Sequence, residues 1–248
     1  MEDIRPRPLA IVKLGNTFEA LRERRGDFEH WLTAGLGATR LPVVVLDPRR
    51  GDTLPAPSFL SGAIVTGSHA MVSHREPWSE STAAWLRRLV EEATPLLGIC
   101  YGHQLLADAL GGEAADHPRG MEVGTVDIVP TAAAREDALL HGLPERFAVQ
   151  AAHLQSAIRL PEGAVLLAGN DFEAHQAFRV GPCAWGLQFH PEFDADVMRG
   201  YIDAMADDLR AGGKDPAALA DAVTGTATAA QLLGRFAHLA EEHDARRP

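Results

Sequence analysis

Along the first half of the chain, short continuous apolar runs alternate with longer segments of helical spacing. Leu9 to Leu14 reads as a buried strand, and Leu41 to Leu46, Gly62 to Thr66 and Pro95 to Ile99 as further β-rich runs. Between them, Phe18, Leu21, Phe28, Trp31 and Leu32 recur at roughly helical spacing and predict a helix over Phe18 to Leu36. Ser79 to Ala93 predicts a second helix, with Trp85, Leu86 and Leu89 on one side and charges on the other, and Gln104 to Leu110 a third. Apolar strands alternating with helices predict an α/β fold with a mainly parallel sheet covered on both faces and functional groups at the carboxyl ends of its strands.

After Gly111-Gly112 the rhythm changes. Met121 to Val129, Phe147 to Ala152, Ala164 to Ala168, Ala174 to Val180 and Ala184 to Phe189 read as strands joined by short turns, which predicts hairpins. From Asp194 onward the pattern is helical again. Asp215-Pro216 reads as an N-cap followed by proline at the first helical position, and Leu232, Leu233, Phe236 and Leu239 mark a later amphipathic helix. The expectation is one domain over Met1 to Pro248, with a core from about Pro8 to Phe193, a C-terminal helical extension from Asp194, and a frayed Arg246-Arg247-Pro248 tail.

Composition narrows the function classes. The 248 residues carry 23 basic and 34 acidic side chains, a net charge of −11, which opposes attraction to nucleic acid or anionic membranes. Cys100 and Cys183 are the two cysteines, so a disulfide framework is implausible and a reducing cytoplasm suits a free thiol. No apolar run approaches the ~20 residues of a membrane helix, and Met1 to Pro8 is too charged and proline-rich for a signal peptide. A soluble cytoplasmic protein is expected. His69, His74, His103, His141 and His175 lack the spacing of a zinc motif, so neither metal nor cofactor is expected.

The candidate chemistry centres on Pro95-Leu96-Leu97-Gly98-Ile99-Cys100-Tyr101-Gly102-His103-Gln104, where an apolar strand breaks at a cysteine flanked by glycines and becomes a helix. Without Cβ atoms at Gly98 and Gly102 the backbone can turn sharply at Cys100 and lift its sulfur clear, as in the strand-elbow-helix of Gly-x-Ser-x-Gly hydrolases. A helix N-terminus and a nearby imidazolium would stabilise the thiolate. Downstream, Trp185-Gly186-Leu187-Gln188-Phe189-His190-Pro191-Glu192 ends a strand-like run in a histidine and a carboxylate. Cys183 lacks such an elbow and reads as structural.

With Ile64-Val65-Thr66-Gly67-Ser68 upstream and Gly120-Met121-Glu122-Val123-Gly124 between the two motifs, the ordered set resembles the class I (triad) glutamine amidotransferases, most closely their stand-alone GMP synthase-like members. The resemblance spans roughly Leu9 to Phe193. It implies a flavodoxin-like three-layer sandwich with a central mainly parallel sheet, a small antiparallel strand region and C-terminal helices. It also implies a catalytic set of Cys100, His190 and Glu192, and an oxyanion hole of main-chain amides from Tyr101 and the Gly67/Ser68 turn, where Ser68 replaces a glycine found in many relatives. Gln104, and main-chain groups of Leu154 and Gln155 beside His153, would meet the ligand; a hydrogen-bonded core histidine explains His153 as well. Glu122 is similar to a family glutamate near the active-site floor, and structural pairing accounts for it equally.

The reaction so implied is hydrolysis of the glutamine side-chain amide through a cysteinyl thioester. The chain has neither a Ser-Gly-Gly-x-Asp-Ser loop nor a Walker phosphate loop, so ammonia transfer would need a separate synthetase. Two alternatives stand beside it. One is hydrolysis of γ-glutamyl peptides or conjugates with the same three residues; the other is a catalytically silent binding or regulatory module.

Overall fold

The computed structural model describes residues 6–246. Met1 to Arg5 and the Arg247-Pro248 end of the tail expected to fray lie outside the described residues. Five strands run parallel in the order β2 (Val43–Leu46), β1 (Leu9–Val12), β3 (Gly62–Val65), β4 (Leu96–Ile99) and β11 (Ala184–Leu187). The sheet continues antiparallel through β10 (Ala177–Val180), β9 (Val165–Gly169), β6 (Glu122–Pro130) and β7 (Phe147–His153), giving nine strands. The hairpin region expected after Gly112 is therefore an extension of the main sheet.

Strand alternation sorts the core into two layers. Leu9, Ile11, Ile64, Leu97 and Ile99 pack on one face with Leu232, Leu233 and Phe236 of α8 (Ala227–Arg246). Ala10, Val12, Ala63, Val65 and Leu96 pack on the other, against Trp85, Leu86 and Leu89 of α3 (Pro77–Glu91) and Leu105 and Leu106 of α4 (Tyr101–Ala109). Helix, sheet and helix form the three layers that period-2 apolar strands require. A third cluster joins Phe28, Trp31 and Phe193 to Val197, Met198 and Tyr201 of α5 (Ala195–Ala204).

Two local readings differ from expectation. The single helix over Phe18 to Leu36 is two, α1 (Glu19–Arg25) and α2 (Phe28–Gly35). Gly26 takes φ 79°, and Asp27 starts α2 with a capping box to His30. The pair β5 (Glu113–Asp116) and β8 (Gln155–Arg159) forms a separate two-stranded sheet that apolar runs do not announce, because Glu113, Asp116 and Arg159 are polar. The Asp215 cap forms as read: its carboxylate accepts from the Ala217 N–H at 2.9 Å ahead of the short α7 (Pro216–Asp221). The remaining helix, α6 (Ala206–Ala211), follows α5 directly.

Candidate active site

Strands β4 and β11 are adjacent and parallel, with Gly98 opposite Gly186 and Ile99 opposite Leu187. The residues that follow their carboxyl ends, Cys100 and His190, are thereby delivered to the same edge of the sheet. Cys100 holds φ 50° and ψ −100°, a region that side-chain-bearing residues rarely occupy. Its N–H donates to the Leu187 carbonyl at 2.8 Å, and its own carbonyl accepts from the Gln104 N–H at 3.0 Å, so the turn is clamped on both sides. The positive φ belongs to the cysteine and not to Gly98 or Gly102. Those glycines serve proximity: a Cβ on Gly98 would lie 2.4 Å from the Gly102 carbonyl oxygen. Helix α4 can therefore start immediately beneath the sulfur, with its N-terminal dipole behind the thiol.

His190 is buried, and its Nδ1–H donates to Glu192 Oε1 at 2.7 Å. That leaves Nε2 for the hydrogen bond with Cys100. The ring is held on one face by stacking on Phe193, with centroids 4.0 Å apart, and the backbone N–H of His190 donates to the Gln150 carbonyl at 2.8 Å. Burial pushes the imidazole toward neutrality, but the charges of Glu192 and Cys100 and the hydrogen bonds to both outweigh it and raise the pKa from 6.5 to about 10. The Ala152 carbonyl, from β7, lies 3.9 Å from the Cys100 sulfur. The β6–β7 hairpin thus folds back over the ends of β4 and β11.

Thr66 organises the turn after β3. Its hydroxyl accepts from the Leu14 N–H at 3.0 Å and donates to the Gly67 carbonyl at 2.9 Å. Because carbonyl and amide of one trans peptide point in opposite directions, fixing the Gly67 carbonyl toward Thr66 and Gly15 turns the Ser68 N–H away from them. Ser68 lines the cavity that also contains Cys100. The side chain of Tyr101 is turned to α3, where its hydroxyl meets Ser79 at 2.6 Å, so this residue offers the site its main chain.

Gln104, His153, Leu154 and Gln155 line the same cavity, whose volume is about 450 Å³. Gln104 Nε2 donates to the Gln155 carbonyl at 2.7 Å and to Gln188 Oε1 at 3.1 Å. His153 and Glu122 are a cross-strand pair on the β6–β7 hairpin, joined at 3.0 Å. Burial pushes Glu122 up, but His153, Asn170 and Gln176 together hold it below its ordinary value. The Gln155 carbonyl also faces His153 Nδ1 at 3.0 Å, and the Leu154 carbonyl accepts from the His117 N–H. The carbonyls of Leu154 and Gln155 are thus engaged within the protein. Cys183 lies apart, with its sulfur 3.1 Å from the Ala93 carbonyl.

Sequence reasoning did not single out Phe18, Tyr201, Met205 or Asp208 as cavity residues, and it weighed His69 as a metal ligand alone. Phe18 and Tyr201 carry ordinary core spacing, and nothing in one sequence distinguishes a cavity wall from a packed face. Among the described residues no group of three His, Cys, Asp or Glu side chains is placed to hold a metal ion, and no helix is long and apolar enough to cross a membrane.

Residues 26–202 match the family model for glutamine amidotransferase class-I. The chain is 28% identical over 144 residues to γ-glutamyl peptidase 4 of Arabidopsis thaliana, which covers 57% of each protein. It is 32% identical over 158 residues to the glutamine-hydrolyzing GMP synthase of Aeropyrum pernix, 64% of this chain and 28% of that one. The chain thus spans less than two thirds of either relative. A solved glutamine amidotransferase from Methylobacillus flagellatus superposes with a TM-score of 0.74 at 24% identity, over 96% of this chain and 95% of that one, a likeness of fold.

Proposed function

The chain belongs to the glutamine amidotransferase class-I family, and from that premise we propose that it hydrolyses the side-chain amide of glutamine to glutamate and ammonia. The observation that carries this reading is the chain of contacts from Glu192 through His190 to Cys100 at the carboxyl ends of neighbouring parallel strands. The Cys100 thiolate attacks the amide carbon, and the oxyanion is met by the main-chain N–H groups of Tyr101 and Ser68. His190 gives its proton to the amide nitrogen as the C–N bond breaks, and ammonia leaves. The same imidazole then takes a proton from water, which attacks the thioester and releases glutamate. Glu192 holds the ring in the required orientation and stabilises its charged form. Gln104 has committed both Nε2 hydrogens, so its Oε1 is the atom available to the α-ammonium of the ligand.

Use of the ammonia in synthesis would fall to a synthetase, the role suggested by similarity to GMP synthases. A second reading, hydrolysis of γ-glutamyl amides other than glutamine, is favoured by the size of the cavity and by similarity to a γ-glutamyl peptidase. The reading as a silent binding module is weakened by the contacts that link Glu192, His190 and Cys100. Glutamate release from glutamine and from a γ-glutamyl dipeptide, by the purified chain and its Cys100→Ala variant, tests the proposal. Release that depends on Cys100 is expected, and release that survives in the variant overturns the mechanism.

A further inference from the structure

The γ-glutamyl reading leaves open what amine departs, and the wall beside His190 addresses it. The leaving nitrogen must take its proton from His190, so whatever is attached to that nitrogen lies on the His190 side of the cavity and the glutamyl part lies toward Gln104. From His190 an aromatic path runs outward: Phe193 at 4.0 Å between centroids, Tyr201 at 4.7 Å from Phe193, and Phe18 at 5.1 Å from Tyr201. Phe18 and Tyr201 surface in the cavity, joined there by Met71, Met121 and Met205. Three of the five methionines of the chain therefore line this one cavity. Methionine is the side chain that adapts to apolar groups of varied shape.

The wall is also uncharged near the base. Burial, with the charge of His190 behind it, lowers His69, and burial raises Tyr201 well above its ordinary value, so both are neutral around pH 7. Among the described residues lining the cavity there is no arginine or lysine, while Asp208, three positions beyond Met205, adds a carboxylate. A leaving group that carries its own carboxylate, as the second residue of a dipeptide does, finds no cation there and meets a like charge.

We infer that Phe18, Tyr201, Met121 and Met205 form a leaving-group subsite for apolar, carboxylate-free amines, so that the substrate class is γ-glutamyl amides of alkyl or arylalkyl amines. The inference rests on the cysteine chemistry proposed above. The thiolate forms the thioester, the C–N bond breaks, the amine leaves with the proton of His190, and water regenerates the thiol and frees glutamate.

The test compares kcat/KM of the full chain for γ-glutamylmethylamide, γ-glutamylphenethylamide and γ-glutamylglycine. Burial of a phenyl ring predicts an advantage of about tenfold or more for the phenethylamide over the methylamide, with γ-glutamylglycine below the phenethylamide. In a Met121→Ala/Met205→Ala double variant the phenethyl-to-methyl ratio should fall by about threefold or more, since the lost methylenes no longer contact the ring. Equal turnover of the two amides overturns the subsite and leaves the cysteine chemistry intact. Absence of Cys100-dependent glutamate release from all three overturns the chemistry instead. Calorimetry with the Cys100→Ala protein then decides the subsite, with tighter binding of the phenethylamide supporting it and equal affinities overturning it.

Discussion

Gly102 presses against Val65: a Cβ on Gly102 would lie 2.5 Å from the Val65 carbonyl oxygen. That oxygen belongs to the backbone at the end of β3 and has no rotamer with which to retreat. Replacing Gly102 by alanine must push α4 away from the sheet, and Cys100 moves with it. Gly102→Ala should lose about 1–3 kcal/mol of stability from overpacking and glutamate release with it, read from the urea midpoint and the activity of the soluble protein. A variant with native stability and activity would show that the close approach is not needed.

Cys100 itself carries the backbone strain, since its φ of 50° would suit glycine better than any residue with a side chain. Two thiol-free variants separate strain from chemistry. In ordinary helix or strand, alanine is the more stabilising residue by about 0.5–1 kcal/mol. At this elbow the order should reverse, with Cys100→Gly unfolding at a higher denaturant concentration than Cys100→Ala, and neither should release glutamate. The usual order would mean that the elbow is relaxed.

The pairing of His190 with Glu192 makes a pH-dependent contribution to stability. Its folded pKa, about 10, lies above the ordinary 6.5 of an unfolded imidazole, so the stabilisation is present in full below about pH 6.5 and is lost as pH rises toward 10. Glu192→Gln removes the carboxylate charge that helps to raise the imidazole. Denaturation midpoints measured from pH 6 to 10 should decline less steeply in Glu192→Gln than in the parent. Turnover near neutral pH should fall on the order of 10²- to 10⁴-fold, the range of general acid-base contributions. Parallel stability profiles would remove Glu192 from the role given to it.

The parallel half of the sheet was legible because four of its five strands are fully buried and all five read as continuous apolar runs, including the half-buried edge strand β2, whose Val45 is exposed. The β5–β8 pair was not, because its stability comes from backbone pairing and from neighbours such as α4 rather than from its own hydrophobic pattern. The break at Gly26-Asp27 was legible in principle, as glycine followed by an N-cap residue, but the helical spacing of Phe18, Leu21, Phe28 and Trp31 ran through it. At the site, residues adjacent in sequence to strand ends, Cys100 and His190, could be read from motifs. The wall formed by Phe18, Tyr201 and Met205 could not, since it depends on how α5 docks over the site.

Thr66 offers the sharpest test of how the proposed oxyanion site is held. Its hydroxyl is the link between the Leu14 N–H and the Gly67 carbonyl, and it is fully buried, so no water stands ready to replace it. Valine has nearly the same shape but cannot make either bond. Thr66→Val should therefore cost about 1–3 kcal/mol for the buried groups left unpaired, while the fold stays intact. Without its anchor the Gly67–Ser68 peptide is free to rotate, and the Ser68 N–H is then lost to the oxyanion in part of the population. Loss of one such donor outright costs about 10²- to 10³-fold in kcat, so a loosened one should cost roughly 10- to 100-fold, with KM little changed because the ground-state carbonyl needs the donor less. Thr66→Ser keeps both hydrogen bonds and should restore most of the rate. If serine were as slow as valine, the hydroxyl alone would not hold the turn, and the threonine methyl would be required beside it.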